Sequence, residues 1–193
     1  MDHRLNAKDF INIGIFTALY FLLFFATGMI GYVPVFMLLI PALCPFVAAI
    51  AFMLYLTRVN KFGMVTITGT LLGFLMMLTG HPWTIIPFAI GFPLLADLVL
   101  KAGNYRSWTS IRLGYILFSQ WLMGLVFPLF FMRGSYFASL RDGYGDTYAD
   151  TLLSITPPWV FYLMFVLVAI GALAGAYFGK ALLKKHFQRA GMA

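Results

Sequence analysis

The chain has 193 residues, of which 62% are hydrophobic and only 10% carry a charge. A water-soluble domain carries about 25% charged residues because its surface must face water, so this composition excludes an ordinary soluble protein. The net charge of +7 would suit nucleic-acid binding, but the basic residues lie between long apolar stretches, so membrane topology explains them and no nucleic-acid partner is expected.

Uncharged stretches, taken in chain order, predict six membrane-spanning helices. Residues 10–57 contain no charge and are long enough for two helices, with a glycine- and proline-containing turn at 28–34 between them. Residues 62–96 are again too long for one span, and the segment 80–83 divides them. The predicted spans are about 10–29, 35–56, 62–79, 84–100, 113–132 and 157–179.

The basic residues predict the orientation of these helices. An even number of spans places both termini on one side, and basic residues concentrate on the cytoplasmic side of a membrane. With both termini cytoplasmic, only Arg133 and Arg141 of the 13 basic residues lie outside. We therefore expect an all-α fold, a single domain over residues 1–193 built as a bundle of six transmembrane helices. The outer connection 133–156 is long enough to be a lid or a binding element.

Several functional classes lack their sequence patterns. Cys44 is the only cysteine, which excludes an intrachain disulfide and a cysteine metal site. The histidines are too scattered for a metal motif, and neither a P-loop nor G-x-S-x-G occurs. Asp97 is the only acid inside a predicted span, and an ion pair with Lys101 is its simplest explanation. We therefore expect no cofactor, no metal and no enzymatic activity.

Two stripes of small residues predict close contacts between helices. Gly14 and Ala18 are four residues apart in the cytoplasmic half of the first span, and Gly171, Gly175 and Gly179 repeat at the same spacing in the sixth. This spacing places small residues on one helix face, where two backbones can approach closely. Each stripe fits either packing inside the bundle or docking of another membrane protein in the inner leaflet.

Aromatic and polar side chains on the predicted outer side form a candidate ligand site. An interfacial belt of Trp and Tyr explains many of them, and a buried Gln120 must hydrogen-bond either a neighbouring helix, which we favour, or a ligand. Together they suit a cup for a flat, partly apolar metabolite. The candidate substrate-binding residues are Tyr32, His81, Trp83, Gln120, Trp121, Arg133, Tyr136 and Trp159.

Over almost its whole length the chain resembles the substrate-binding S component of an energy-coupling factor (ECF) transporter. The likeness rests on the length, the six spans with cytoplasmic ends, and the Gly14/Ala18 stripe, which is similar to the one by which S components dock on the transmembrane T component. Many S components have Ala where this stripe begins with Gly. More narrowly, the segments 11–18 and 96–105 and the basic stretch 180–189 resemble the hydrophobic bacterial proteins of the Trep_Strep family.

This resemblance implies capture of a vitamin or similar micronutrient at the outer face of a bacterial plasma membrane. The T component and two ATPase subunits would drive uptake, which agrees with a chain that has no P-loop. Two alternatives stay open: a membrane scaffold or assembly protein without a small-molecule ligand, and a stand-alone secondary carrier. Ligand co-purification distinguishes the first, and transport without ATPase partners distinguishes the second. No motif names the substrate.

Overall fold

The computed structural model describes residues 5–189, and this part of the chain is helical and contains no strand. Residues 1–4 and 190–193 of the predicted single domain lie outside the described residues. Short 3-10 turns cover Met29–Tyr32 and Pro34–Leu38, and a third, Gln120–Leu122, joins two helices into one segment. The α-helices are α1 (Ala7–Gly28), α2 (Ile40–Leu56), α3 (Met64–Leu78), α4 (Ile85–Ala102), α5 (Trp108–Ser119), α6 (Met123–Phe131), α7 (Arg133–Tyr144), α8 (Asp146–Ile155) and α9 (Val160–Arg189).

Among residues 5–189, four helical segments are long and apolar enough to cross a membrane: Ala7–Tyr32, Ile85–Ala102, Trp108–Phe131 and Val160–Lys185. The helices α2 and α3 are apolar but shorter. Each predicted span therefore corresponds to an apolar helical segment, whereas six complete crossings and two cytoplasmic termini stay predictions. The second span was predicted to begin near residue 35, but α2 begins at Ile40 with Pro41 in its first turn, where a missing N–H costs no helical bond.

The polar connection 133–156 is a helical hairpin rather than an irregular loop. The turn between α7 and α8 is Gly145, whose φ of 83° is accessible to glycine without strain. Across this turn the Arg141 guanidinium pairs with the carboxylates of Asp146 and Asp150. Buried Phe137 of α7 and Leu152 of α8 anchor the base of the α7–α8 hairpin in the core.

A seam of glycines holds α9 against α2. A Cβ atom added to Gly171 would lie 2.7 Å from the carbonyl carbon of Ala42, and one added to Gly175 would lie 2.7 Å from Ala49 Cβ. On Gly179 it would meet Met53 Cγ at 2.9 Å. At Gly171 and Gly175 a side chain would meet backbone atoms of α2 and force the two helices apart, so glycine is required at these two positions. The stripe in the sixth predicted span therefore serves internal packing, with α2 as its neighbour.

Asp97 ties three separate segments together instead of pairing with Lys101. Its Oδ2 accepts hydrogen bonds from the backbone N–H groups of Gly63 (2.8 Å) and Thr66 (3.1 Å) at the start of α3, and its Oδ1 accepts one from the Tyr105 hydroxyl at 2.8 Å. A carboxylate suits this place because the first N–H groups of a helix have no partners within it. The predicted ion pair is wrong, since the Lys101 ammonium lies over the Phe62 ring, 5.0 Å from its centroid.

The two ends of the bundle differ in charge. The start of α1, the 57–63 and 103–107 connections and the last turns of α9 form one end, which we call the basic end. Contacts between these segments include the ion pair of Lys61 with Asp9 (2.8 Å) and the Lys180 ammonium 3.9 Å from the Trp108 ring centroid. Basic residues at or near this end are Lys8, Arg58, Lys61, Lys101, Arg106, Arg112, Lys180, Lys184 and Lys185, whereas Arg133 and Arg141 belong to the α7–α8 hairpin at the opposite end.

Candidate ligand-binding cavity

A cavity of about 300 Å³ lies at the end of the bundle opposite the basic end. Its walls come from the last turns of α1 and α3, the turns and first residues that lead into α2, the segment Leu122–Leu129, the hairpin α7–α8 and the first turns of α9. Because these elements are distant in sequence, the cavity forms only when the bundle assembles. It is the place where the predicted ligand residues can be tested against geometry.

Three of the eight predicted ligand residues line this cavity: Tyr32, His81 and Tyr136. Tyr32 ends the turn after α1, His81 follows α3, and Tyr136 lies in the first turn of α7. Tyr32 is 59% exposed, so it stands at the mouth, whereas His81 and Tyr136 are partly buried in the walls. The structure thus brings together residues that are more than 100 positions apart in the chain.

Three other predicted residues lie outside the cavity. Trp83 and Trp159 are 66% and 63% exposed, positions that suit anchors at a membrane interface. The Arg133 guanidinium donates a hydrogen bond to the carbonyl oxygen of Thr156 at 2.7 Å and lies over the Phe137 ring. It closes the base of the α7–α8 hairpin and is not among the residues that line the cavity.

Gln120 and Trp121 belong to the core beneath the cavity. Gln120 Nε2 donates to the carbonyl oxygen of Phe165 in α9 at 3.2 Å, as the favoured helix partner requires, whereas its Oε1 is buried without a partner among the described residues. The Trp121 ring is fully buried and lies 4.7 Å from the ring centroid of Phe24, a cavity-lining residue. Trp121 therefore supports the cavity wall from behind, and Gln120 links its segment to α9.

The walls are rich in aromatic rings and thioethers. Phe24 and Phe25 contribute rings from α1, and four methionines from separate elements contribute sulfur: Met29, Met37, Met76 and Met164. Methionine side chains adapt to irregular shapes and make favourable contacts with aromatic rings. Sequence reasoning missed all four, because a methionine in an apolar stretch has the same appearance whether it faces a core, lipid or a cavity.

Tyrosines of the α7–α8 hairpin cover the cavity. Tyr144 stacks on Tyr148, with ring centroids 5.0 Å apart, and lies 6.0 Å from the Tyr32 ring. The Tyr148 hydroxyl donates a 2.6 Å hydrogen bond to the carbonyl oxygen of Gly31. The tip of the hairpin, residues 141–148, is thereby fastened to the turn after α1. The function of this connection as a lid or a binding element stays a prediction.

His81 and Tyr136 offer unused hydrogen-bonding groups. His81 Nδ1 lies 3.2 Å from the carbonyl oxygen of Met76, which only accepts, so we infer that Nδ1 carries the proton. Burial lowers the pKa of His81, which keeps the ring neutral and leaves Nε2 as an acceptor. Burial raises the pKa of Tyr136 to about 12, so its hydroxyl stays protonated. Neither His81 Nε2 nor the Tyr136 hydroxyl has a hydrogen-bond partner within residues 5–189.

The two small-residue stripes have different surroundings. Gly14 and Ala18 are exposed on α1, and a Cβ added to Gly14 would meet nothing within 4 Å. Exposed Ile11, Ile15 and Leu22 extend the same helix surface. The stripe Gly171/Gly175/Gly179 is instead covered by α2, so we do not retain it as a docking surface. The face of α1 is the predicted docking surface that another helix can reach.

A protein-family model described as a hypothetical bacterial integral membrane protein (Trep_Strep) matches residues 7–189. No curated protein and no solved structure matches the chain. The matched range runs from the first residue of α1 to the last residue of α9, so it includes every element that lines the cavity. The chain therefore belongs to the Trep_Strep family of bacterial integral membrane proteins.

Proposed function

We propose that this protein is the substrate-binding subunit of an ECF-type importer in a bacterial plasma membrane. The observation that carries the proposal is the cavity of about 300 Å³ at the end of the bundle opposite the basic end. Basic residues favour the cytoplasmic side, so the cavity mouth faces the exterior, where an importer must capture its substrate. The tyrosines of the α7–α8 hairpin then act as the outer cover.

The exposed face of α1 supports docking on a T component. Gly14 has no atom within 4 Å of its added Cβ, and Ala18 is exposed one turn later. A narrow face of this kind allows a second transmembrane helix to approach closely. Two ATPase subunits would supply the ATP hydrolysis for which this chain has no P-loop.

A stand-alone secondary carrier has less support. Carriers coupled to protons or sodium ions use acidic groups at membrane depth. Among the described residues no acid lines the cavity, and Asp97 is engaged by three hydrogen-bond donors at the start of α3 and by Tyr105. Transport that depends on partner ATPases is therefore the stronger proposal.

Co-expression with a T component and both ATPase subunits, followed by affinity purification, tests the docking. We expect Gly14→Leu to fold normally but to lose the complex, because leucine fills the narrow face. Gly91→Leu is the matched control, since Gly91 lies on α4 and also has no atom within 4 Å of an added Cβ. A native chain that never assembles with these subunits would refute the proposal, as would a complex that survives Gly14→Leu unchanged.

A further inference from the structure

We propose that the cavity binds an uncharged molecule of one or two aromatic rings that presents a hydrogen-bond donor on its edge. The proposal rests on the proposed function only in taking the cavity as a substrate site. It goes further by assigning the chemistry of the ligand from the groups that line the walls.

The first step concerns the charge of the ligand. Within the described part of the chain, no Asp, Glu, Lys or Arg side chain lines the cavity. An ionised group transferred from water to such a place loses its hydration and finds no counter-ion, which is costly. His81 provides no positive charge either, since its pKa is lowered by burial. A ligand with a carboxylate, a phosphate or an ammonium group inside the cavity is therefore disfavoured.

The second step is size and shape. Ligand pockets in proteins run from about 300 to 1,000 Å³, and this cavity stands at the lower limit. One ring or a fused pair matches such a volume better than a nucleotide or a macrocycle does. The Phe24 ring on one wall and the Tyr144 ring of the cover provide flat apolar surfaces, and aromatic rings prefer such neighbours.

The third step is the hydrogen-bonding edge. His81 Nε2 is an acceptor without a partner among residues 5–189, and a ligand N–H or O–H group would satisfy it. The Tyr136 hydroxyl can donate to or accept from a second group on the ligand. By contrast, the Tyr148 hydroxyl is already used by the carbonyl oxygen of Gly31. Recognition therefore rests on His81 and Tyr136.

Three indole probes of similar size test the proposal: uncharged indole-3-ethanol, anionic indole-3-acetate and cationic tryptamine. Their binding to the full chain in phosphatidylcholine nanodiscs is measured by equilibrium dialysis at pH 7.5, with empty nanodiscs to correct for partition into lipid. We expect the uncharged probe to bind at least about tenfold more tightly than either charged probe, because of the desolvation cost of the charge. Preference for a charged probe, or binding of none of the three, would overturn the proposal.

A ligand-side substitution tests the acceptor. Methylation of the indole nitrogen of indole-3-ethanol removes its N–H donor. We expect the methylated probe to bind the native chain about fivefold more weakly, the effect of one neutral hydrogen bond. The His81→Phe variant should bind indole-3-ethanol and its N-methylated form equally well, because the acceptor His81 Nε2 is absent. Tyr136→Phe should weaken binding of indole-3-ethanol about fivefold through loss of one hydrogen bond. The control Tyr162→Phe should leave binding unchanged, because Tyr162 is 72% exposed and lies outside the cavity. An equal methylation penalty with and without His81 would contradict the assigned edge.

The two proposals fail separately. Selective binding of the uncharged probe by a chain that never joins a T component would leave the ligand chemistry standing and remove the importer function. Assembly with the T component by a chain that prefers indole-3-acetate would support the importer function and remove the proposed ligand chemistry.

Discussion

A single methyl group is expected to have opposite effects on stability at Gly171 and Gly14. On Gly171 the new Cβ would overlap the carbonyl oxygen of Ala42 and lie 2.7 Å from both the Cα and the carbonyl carbon of that residue. These are backbone atoms, which cannot rotate away as a side chain can, so α9 must move off α2. On Gly14 the same methyl group meets nothing within 4 Å.

The magnitudes follow from these contacts. Carbon atoms pack best at about 3.5–4.0 Å, so a 2.7 Å approach to backbone belongs at the upper end of the overpacking range, about 3 kcal/mol. Replacing glycine by alanine inside a helix returns about 1 kcal/mol of helix propensity. The free energy of unfolding should therefore fall by about 2 kcal/mol in Gly171→Ala and rise by up to about 1 kcal/mol in Gly14→Ala.

Reversible unfolding by SDS in mixed micelles, followed by far-UV circular dichroism, measures both changes. Gly91→Ala on α4 serves as a second control, since its added Cβ also meets nothing within 4 Å. A Gly171→Ala variant as stable as the native chain would refute the assignment of this stripe to the seam with α2. A loss of stability in Gly14→Ala would refute the conclusion that this face of α1 is exposed.

Three further predictions concern Asp97, Tyr148 and His81. Asp97→Asn should lower the free energy of unfolding by about 2–3 kcal/mol, because the buried donors lose a charged acceptor. Exposed Asp142→Asn should change it by less than about 0.5 kcal/mol, and equal losses would contradict the role of Asp97. Tyr148→Phe should raise amide exchange at the hairpin tip about 2- to 10-fold by removing the bond to the turn after α1, and unchanged exchange would contradict that fastening. Because burial sets the His81 pKa below its ordinary value of 6.5, the unfolded chain binds a proton that the native chain does not, and stability should fall as the pH drops below about 6.5. The pH dependence of His81→Gln unfolding, measured alongside, should lack this component; identical curves would contradict it.

Helix positions were largely predictable, because a long uncharged stretch has few possible structures other than a membrane-spanning helix. The ends of the helices were less predictable. The first span was predicted from residue 10, but α1 begins at Ala7 since Asn6 and Asp9 form a reciprocal capping box. The sixth was predicted to end at 179, the limit of the apolar stretch, whereas α9 continues through basic residues to Arg189. Hydrophobicity reports the membrane-embedded part of a helix and not its end.

The ligand site was only partly predictable, because local composition does not distinguish a cavity wall from a membrane anchor. Tyr32 and Trp83 are both outer aromatic residues with similar exposure, 59% and 66%. Tyr32 lines the cavity because Tyr144 of the hairpin packs beside it, a contact between residues 112 positions apart. Likewise, Gly14 and Gly175 belong to equivalent sequence patterns, and only the three-dimensional arrangement shows which one has a neighbour.

The fastening of the hairpin tip has a kinetic consequence. One hydroxyl bond from Tyr148 and the stacking of a few rings hold the tip, whereas Phe137 and Leu152 bury its base and the glycine seam fixes α9. Breaking one hydrogen bond and one ring contact costs about 1–3 kcal/mol, so the tip is expected to be released in roughly 0.6–16% of molecules at any moment. In the proposed capture function, this release would admit a ligand without loosening the helix bundle, and the rate of capture would be limited by how often the tyrosines separate.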